Sequence, residues 1–177
     1  MKRLALVLLV CCLSSGCAIN TPHYRPFEVG DSQQCLIVVE YFEMTHAENS
    51  YSGESDFSRI IAEYLAGALQ ERNLKAVAVE RQSTQISGKY RITGEVTKIN
   101  QGKFSGRFWV GPGVGMARIS AQAVLIRVSD NKELTRTKVT LSSSACRGAE
   151  SILRYISANV SRKIANNFYY ALQNDTK

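Results

Sequence analysis

The segment 148–173 constrains the fold most strongly, because its apolar residues recur at helical spacing along its whole length. The predicted apolar face consists of Ile152, Tyr155, Ile156, Val160, Ile164, Phe168 and Leu172. The opposite face carries Arg154, Ser157, Ser161, Arg162 and Asn166, which we expect to contact solvent. A long helix with one apolar face must bury that face against a second layer of structure.

An earlier segment repeats the helical pattern over a shorter length. Its apolar positions are Phe57, Ile60, Ile61, Tyr64, Leu65 and Leu69. We expect Ser55 or Asp56 to cap its first amides and Asn73 to adopt the left-handed conformation at its end.

Five further segments have the apolar patterns of strands. They cover residues 35–42, 74–80, 89–99, 117–128 and 134–143. Alternation predicts buried positions in the two longest of them, namely Tyr90, Ile92 and Val96, then Ala117, Ile119, Ala121, Ala123 and Leu125. Gly94 interrupts its strand, which predicts a bulge or a close neighbour.

The resulting order is β-α-β-β-β-β-α. Two amphipathic helices on one face of an approximately five-stranded sheet, mixed or antiparallel, form a two-layer α+β sandwich. We expect the other face of the sheet to be covered partly by the preceding segment, by an oligomer neighbour or by water.

The amino terminus has the pattern of a secretory signal peptide. Lys2 and Arg3 precede an apolar run that ends at Leu13, which is too short to span a bilayer. The sequence Leu-Ser-Ser-Gly before Cys17 resembles the lipobox of bacterial lipoproteins, with Ser where Leu is more usual three residues before the cysteine. This resemblance implies a signal peptide over 1–16, acylation of Cys17 and, because Ala18 rather than Asp follows, an outer-membrane anchor with the domain facing the periplasm. The alternative is an ordinary cleaved signal with a chance cysteine.

The rest of the chain is predicted to form one domain. Residues 17–34, with two prolines and no apolar period, are interpreted as a lipidated cysteine and flexible tether, and residues 35–175 as a single globular domain. Removal of the leader leaves a net charge of about +5, which favours anionic envelope partners over nucleic acid or nucleotide. Because the basic residues are scattered, an ordinary solvated surface also accounts for them.

Only Cys35 and Cys146 remain once the leader cysteines and Cys17 are assigned. In an oxidising compartment, a disulfide that closes so long a loop would stabilise the fold by about 4 to 5 kcal/mol. The alternative is two buried thiols that do not meet.

Three alternating glycines mark the segment 106–119, GRFWVGPGVGMARI. A dinucleotide site needs glycines between a strand and a helix, whereas a strand follows here, so no nucleotide or other cofactor is predicted. The aromatic cluster beside the glycines is typical of a loop that contacts a membrane or a subunit, and the alternative is that Trp109 folds back into the core. The predicted interface loop comprises Phe104, Phe108, Trp109, Val110, Gly111, Gly113 and Gly115. The predicted contacts to an anionic partner are Lys98, Lys103, Arg107 and Arg118.

No catalytic pattern is present in the sequence. The set Glu43, His46 and Glu48 is a poor zinc site, and the serines at 142–144 have no partner histidine nearby. We therefore expect a protein without enzymatic activity, metal or cofactor.

Several motifs together resemble a family of small bacterial outer-membrane lipoproteins with a glycine-rich domain of unknown function. The matching residues are Gly111, Gly113, Gly115, Ala117, Arg118, Asp130 and Leu134, in a similarity that covers roughly 35–172. The segment SSSACRGAE departs from the family because it has one glycine instead of a cluster. The order of elements is also remotely similar to the curli-export and exopolysaccharide-export ring lipoproteins, which implies assembly on the envelope.

Two functions follow as hypotheses. The first is an anchored structural or assembly subunit of a secretion or export complex, with envelope protein partners or self-association. The second is a monomeric periplasmic module that binds an anionic envelope glycan or lipid. A single protomer mass of the detergent-extracted protein would separate them.

Overall fold

The computed structural model describes residues 22–26, 35–45, 54–81, 88–100, 116–143 and 149–175. The elements are β1 (Cys35–Glu40), β2 (Glu43–Met44), α1 (Glu54–Gln70), β3 (Ala76–Val79), β4 (Gly88–Asn100), β5 (Ala117–Arg127), β6 (Lys132–Ser143) and α2 (Ala149–Asp175). The predicted α+β class is confirmed, and the two-residue strand β2 is added to the predicted order.

The sheet is mixed, with strand order β3-β1-β4-β5-β6, and β2 pairs with β4 beyond the end of β1. Strand β1 runs parallel to both of its neighbours, β3 and β4. Helix α1 forms the crossover that the parallel pair of β1 and β3 requires. The last three strands form antiparallel pairs. A tight turn joins β5 to β6, and Asn131 adopts a left-handed conformation there with φ of 53°.

The core lies between the helices and one face of the sheet. Strand β5 shows the predicted alternation, since every second residue from Ala117 to Leu125 is fully buried. Tyr90, Ile92 and Val96 of β4 are buried on the same side. Helix α1 packs against β1 and β3, whereas α2 packs against β5 and β6 and also against α1.

Gly94 provides space for an aromatic ring. A side chain at this position would place its Cβ 2.4 Å from Cε1 of Phe42, which is itself buried. The prediction of a close neighbour at Gly94 is therefore confirmed. The irregularity in the β4–β5 register lies further along the strand, between Val96 and Lys98.

Asn73 ends α1 as predicted, with φ of 60°. Its amide donates to the Gln70 carbonyl at 2.9 Å, and the Leu74 amide donates to the Leu69 carbonyl at 3.2 Å. These two bonds form a Schellman motif, which satisfies carbonyls that the helix end would otherwise leave unpaired. The helix begins at Glu54, so the predicted capping residues Ser55 and Asp56 lie inside its first turn.

The predicted faces of α2 are wrong at three positions, two on the polar face and one on the apolar face. Ser157 and Ser161 are fully buried, and Tyr155, which was assigned to the apolar face, is 43% exposed. The reason is that α2 packs against both the sheet and α1, so its buried surface is wider than one apolar stripe. Small serine side chains allow the two helices to approach closely.

Part of the predicted tether belongs to the fold. Residues 22–26, here called the clasp, lie against α1 and β3. The Ala78 amide donates to the Tyr24 hydroxyl at 3.2 Å, and the Arg25 amide donates to Oε1 of Gln70 at 3.1 Å. Gln70 in turn donates to the carbonyls of Arg25 and Ala76 at 3.1 and 2.8 Å. One glutamine therefore joins the clasp to the end of α1 and the start of β3.

Candidate functional site

The sheet surface opposite the helices is polar across β4, β5 and β6. We call it the open face. It carries Arg91, Thr93, Glu95, Lys98, Arg118, Ser120, Gln122, Arg136, Lys138 and Thr140. Because cross-strand partners share a face, the strand registers place these side chains in adjacent rows.

A basic patch occupies the end of the open face nearest the segment 101–115. Lys98 pairs with Ser120, and Asn100 pairs with Arg118, so Lys98 and Arg118 are diagonal neighbours with Cβ atoms roughly 5 to 8 Å apart. On the other side of β5, Ser120 pairs with Thr140 of β6, so Lys138, two residues before Thr140, is a diagonal neighbour of Ser120. We define the basic patch as Lys98, Arg118 and Lys138. The structure thus brings together the two predicted anion contacts that it describes.

The bulge in β4 determines where Lys98 points. Strict alternation would place Lys98 on the same face as Val96, which is buried under the helices. The register shift after Val96 inverts the alternation, so that Ile99 is buried instead and Lys98 lies on the open face. One inserted residue therefore moves a basic side chain into the patch.

Hydroxyl groups hold the centre of the basic patch in place. Ser120 is 8% exposed, and its Oγ lies 2.9 Å from Oγ1 of Thr140 on the next strand. On the other side, the Thr97 hydroxyl donates to the Ser120 carbonyl at 3.3 Å. Ser120 therefore sits between two strands that each contribute a basic residue.

Beyond the patch, opposite charges on the open face compensate each other. Glu40 lies 3.6 Å from both Arg81 and Arg91, and Arg81 also contacts Glu43. A shallow depression of about 180 Å³ is lined by Glu43, Arg81, Thr93, Gly94, Glu95, Gln122, Val124 and Arg136. Since both signs of charge line it, this region does not favour an anion.

Arg136 belongs to the compensated region. It donates from Nε and Nη2 to the two carboxylate oxygens of Glu133, at 3.0 and 2.7 Å. The hydrogen bond from Arg136 lowers the pKa of Glu133, which keeps the pair ionised at neutral pH. The pair is exposed, so its role is to orient the arginine rather than to stabilise the fold.

Most of the other predicted site residues lie outside the described part of the chain. These are Cys17, Lys103, Phe104, Arg107, Phe108, Trp109, Val110, Gly111, Gly113, Gly115 and Cys146. The backbone of Cys35 is described, as the first residue of β1. The interface-loop and lipidation assignments therefore stay predictions.

The described backbone argues against the predicted disulfide within one chain. Cys35 pairs with Gly88 at the start of β4, whereas Ser142 lies across β5 from Asn100 at the end of β4. The 13 residues of β4 span roughly 40 Å at about 3.3 Å per residue. The three-residue step from Ser143 to Cys146 covers at most roughly 11 Å. A bridge also requires Cα atoms within about 7 Å.

Sequence reasoning missed Lys138 as a member of the patch. Lys138 is 20 residues from Arg118 along the chain, and strand β5 lies between it and Lys98, so the basic residues look scattered in the sequence. The available signal was alternation in the segment 134–143, which places Arg136, Lys138 and Thr140 on one face. The register with β5, which the sequence does not reveal, decides which other residues they meet.

The described residues offer no metal site. Among the ranges given above, no group of three or more His, Cys, Asp or Glu side chains could hold a metal ion. Likewise, neither α1 nor α2 is both long and apolar enough to cross a bilayer.

Comparison with known families gives a match over most of the chain. Residues 26–146 match the family described as Domain of unknown function (DUF4410). The chain belongs to the DUF4410 family. No curated protein matches the chain significantly.

Solved structures show that the DUF4410 domain shares its fold with other bacterial proteins. A Xanthomonas campestris protein of family DUF330 has a TM-score of 0.56 at 12% identity, covering 88% of this chain and 96% of that protein. The PelC dodecamer of Paraburkholderia phytofirmans has a TM-score of 0.52 at 15% identity, covering 73% and 87%. A lipoprotein of Neisseria meningitidis has a TM-score of 0.44 at 11% identity, covering 74% and 99%.

Proposed function

We propose that this protein is a non-enzymatic lipoprotein, anchored to the outer membrane through Cys17, whose domain is a structural or assembly subunit of a cell-envelope complex. The open face carries this proposal. The helices cover one face of the sheet, while the part of the other face formed by β4, β5 and β6 presents rows of charged, amide and hydroxyl side chains. Such a surface is suited to contact with another protein.

The edge of the sheet supports the same proposal. Strand β6 is 12 residues long and ends the strand order. Long edge strands tend to pair with other chains unless they are protected, and β6 carries Lys132, Arg136 and Lys138, which limit indiscriminate pairing. At the opposite edge, the Tyr24 hydroxyl already accepts a hydrogen bond from the Ala78 amide of β3. Assembly through the open face beside β6, rather than by strand pairing at the β6 edge itself, is therefore the favoured geometry.

The similarly folded PelC forms a dodecamer. This supports self-association as the form of assembly for the DUF4410 domain. The more specific part of the proposal, a role in an export or secretion complex, rests on the remote resemblance to the export-ring lipoproteins.

The test is the mass of the protein extracted in mild detergent. We expect a multiple of the protomer mass, which charge reversal on the open face by Lys138→Glu should shift toward the single protomer. The matched control is Arg59→Glu, a reversal of an exposed basic side chain on α1 that should leave the assembly intact. A wild-type mass of one protomer would overturn the assembly proposal.

The basic patch favours a second candidate function, namely binding of an anionic envelope glycan or lipid by a monomer. Lys98 and Arg118 meet beside the Ser120 and Thr140 hydroxyls, which together could bind a carboxylate or phosphate. Binding of purified lipopolysaccharide to the extracted protein tests it. A protomer-sized protein whose binding is lost in Arg118→Gln, but kept in Arg136→Gln, would support this candidate over assembly.

A further inference from the structure

The clasp fixes the place where the chain enters the folded domain. A Cβ on Gly67 would lie 2.9 Å from the Tyr24 amide nitrogen, so the clasp backbone lies directly on α1. From there the clasp runs to Gln70, whose side chain bonds both the amide and the carbonyl of Arg25. Pro22, at the start of the clasp, is buried. The entry point is therefore the last turn of α1.

The chain between the proposed lipid anchor and the clasp is short. From Cys17 to Pro22 it can extend at most roughly 18 Å. A lipid on Cys17 would accordingly hold the carboxyl end of α1 close to the membrane surface. This step rests on the proposed function, since it requires the anchor.

The surface around that point is rich in basic side chains. Arg25 comes from the clasp, Arg72 and Lys75 follow α1, and Arg162 and Lys163 come from the adjacent part of α2. Contacts of Arg25 with Gln70, of Arg72 with Asn166 and of Arg162 with Glu71 join the three segments.

Arg72 links the two helices within this group. It donates to the Ala68 carbonyl at 2.5 Å and to the Asn166 side chain, so the end of α1 lies beside α2. Arg162 lies 4.0 Å from Glu71, an acidic residue within the group. The basic group therefore extends from the end of α1, where the clasp enters, to the adjacent part of α2.

We propose that this surface, formed by Arg25, Arg72, Lys75, Arg162 and Lys163, contacts the anionic headgroups of the membrane that holds the anchor. Each basic side chain near an anionic bilayer strengthens binding by about fivefold, and the effect decays within a Debye length. Even at its full extension of roughly 18 Å, the attachment at Cys17 holds the clasp within about two Debye lengths of the membrane surface. The lipid and the basic surface together then fix how the domain stands on the membrane.

This orientation separates two surfaces of the molecule. Lys138 lies on the face of the sheet opposite the helices and at the edge remote from β3. With the end of α1 on the headgroups, Lys138 lies outside the membrane contact, and the open face around it is left accessible to protein partners.

Lysine footprinting of the full lipidated protein tests the proposal. The protein is reconstituted in phosphatidylcholine vesicles with and without about 30% phosphatidylglycerol, then treated with an amine-reactive label and analysed by mass spectrometry. We expect Lys75 and Lys163 to react about fivefold more slowly in the anionic vesicles, while Lys138 and Lys132 keep their rates as internal controls. The variant Arg25→Gln, Arg162→Gln should lose most of the protection of Lys75.

The outcomes separate this inference from the proposed function. If the protein fails to float with either kind of vesicle, or its mass shows no lipid on Cys17, the anchor itself is wrong. If it floats but Lys75 reacts as fast as Lys138, the anchor stands and the basic surface is overturned. Protection of Lys138 instead of Lys75 would place the open face on the membrane and would also overturn the inference.

Discussion

Two serines of α2 occupy similar positions one turn apart and differ in a single hydrogen bond. Ser157 and Ser161 are both fully buried. The Ser161 hydroxyl donates to the Ile61 carbonyl of α1 at 3.0 Å, whereas the Ser157 hydroxyl has no hydrogen-bond partner within the described residues. A buried hydroxyl without a partner costs stability, while a paired one contributes to it.

Alanine substitutions at these two serines should therefore have opposite effects. We expect Ser161→Ala to lower the free energy of unfolding by about 1 kcal/mol and Ser157→Ala to raise it by a similar amount. The higher helix propensity of alanine, about 0.5 kcal/mol, acts equally on both and cancels in the comparison. Denaturant unfolding of the two variants measures the difference. Equal shifts would show that the Ser161 bond contributes nothing.

At the scale of elements, one carboxylate fastens the end of α2 to the sheet. Asp175 accepts hydrogen bonds from the Tyr90 hydroxyl of β4 at 2.9 Å and from Nε of Arg127 on β5 at 3.2 Å. A negative charge at a helix carboxyl end is unfavourable, so Arg127 offsets the helix dipole there. Burial raises the pKa of Asp175, but the hydrogen bonds from Arg127 and Tyr90 outweigh it and lower the pKa below its usual value.

The fastening of α2 should weaken in acid. The pKa of Asp175 is lower in the folded chain than in the unfolded chain. The ionised carboxylate therefore contributes fully to the free energy of unfolding above the unfolded-state pKa of about 3.9, and this contribution is lost as the pH falls through the folded-state pKa. We expect Asp175→Asn to lower the melting temperature by a few degrees at pH 7 and by less at about pH 3. Asp130→Asn, which changes a more exposed partner of Arg127, is the control and should have a smaller effect. A pH-independent difference for Asp175→Asn would rule out the charge as its cause.

The secondary structure was predictable from local periodicity, and the contacts between elements were not. The buried positions of β4 and β5 repeat every second residue, and Asn73 supplies a helix end, so local patterns suffice there. The face of Lys98 depends on a bulge that has no marker in the sequence. The burial of Ser157 depends on the approach of α1, which brings together residues far apart in the chain.

The candidate site was predictable in part for the same reason. Lys98 and Arg118 flank one segment of sequence, so their proximity follows from the hairpin that they delimit. Lys138 joins them only through the register of β6. The clasp was missed because residues 22–26 have no apolar period, and Gln70 and Gly67 hold them through backbone contacts.

At the scale of the whole molecule, the strands run between two ends of the sheet that hold different parts of the chain. Residues Cys35, Tyr90 and Asp175 lie at one end. The start of α2 and Ser143 lie at the other, because β6 and α2 run in opposite directions along the sheet.

The cysteines should accordingly be unable to bridge within one chain. Roughly 40 Å of strand length separates Cys35 from the end of β6, and the three residues that lead to Cys146 span at most roughly 11 Å. We expect the mature protein, alkylated under denaturing conditions without reductant, to show either two free thiols in a monomeric chain or a bond between two chains. Intact-mass spectrometry before and after reduction distinguishes these states. A monomeric chain that resists alkylation at both cysteines and gains two hydrogen atoms on reduction would contradict the strand register. In that register the two cysteines belong to opposite ends of the sheet, too far apart for a disulfide.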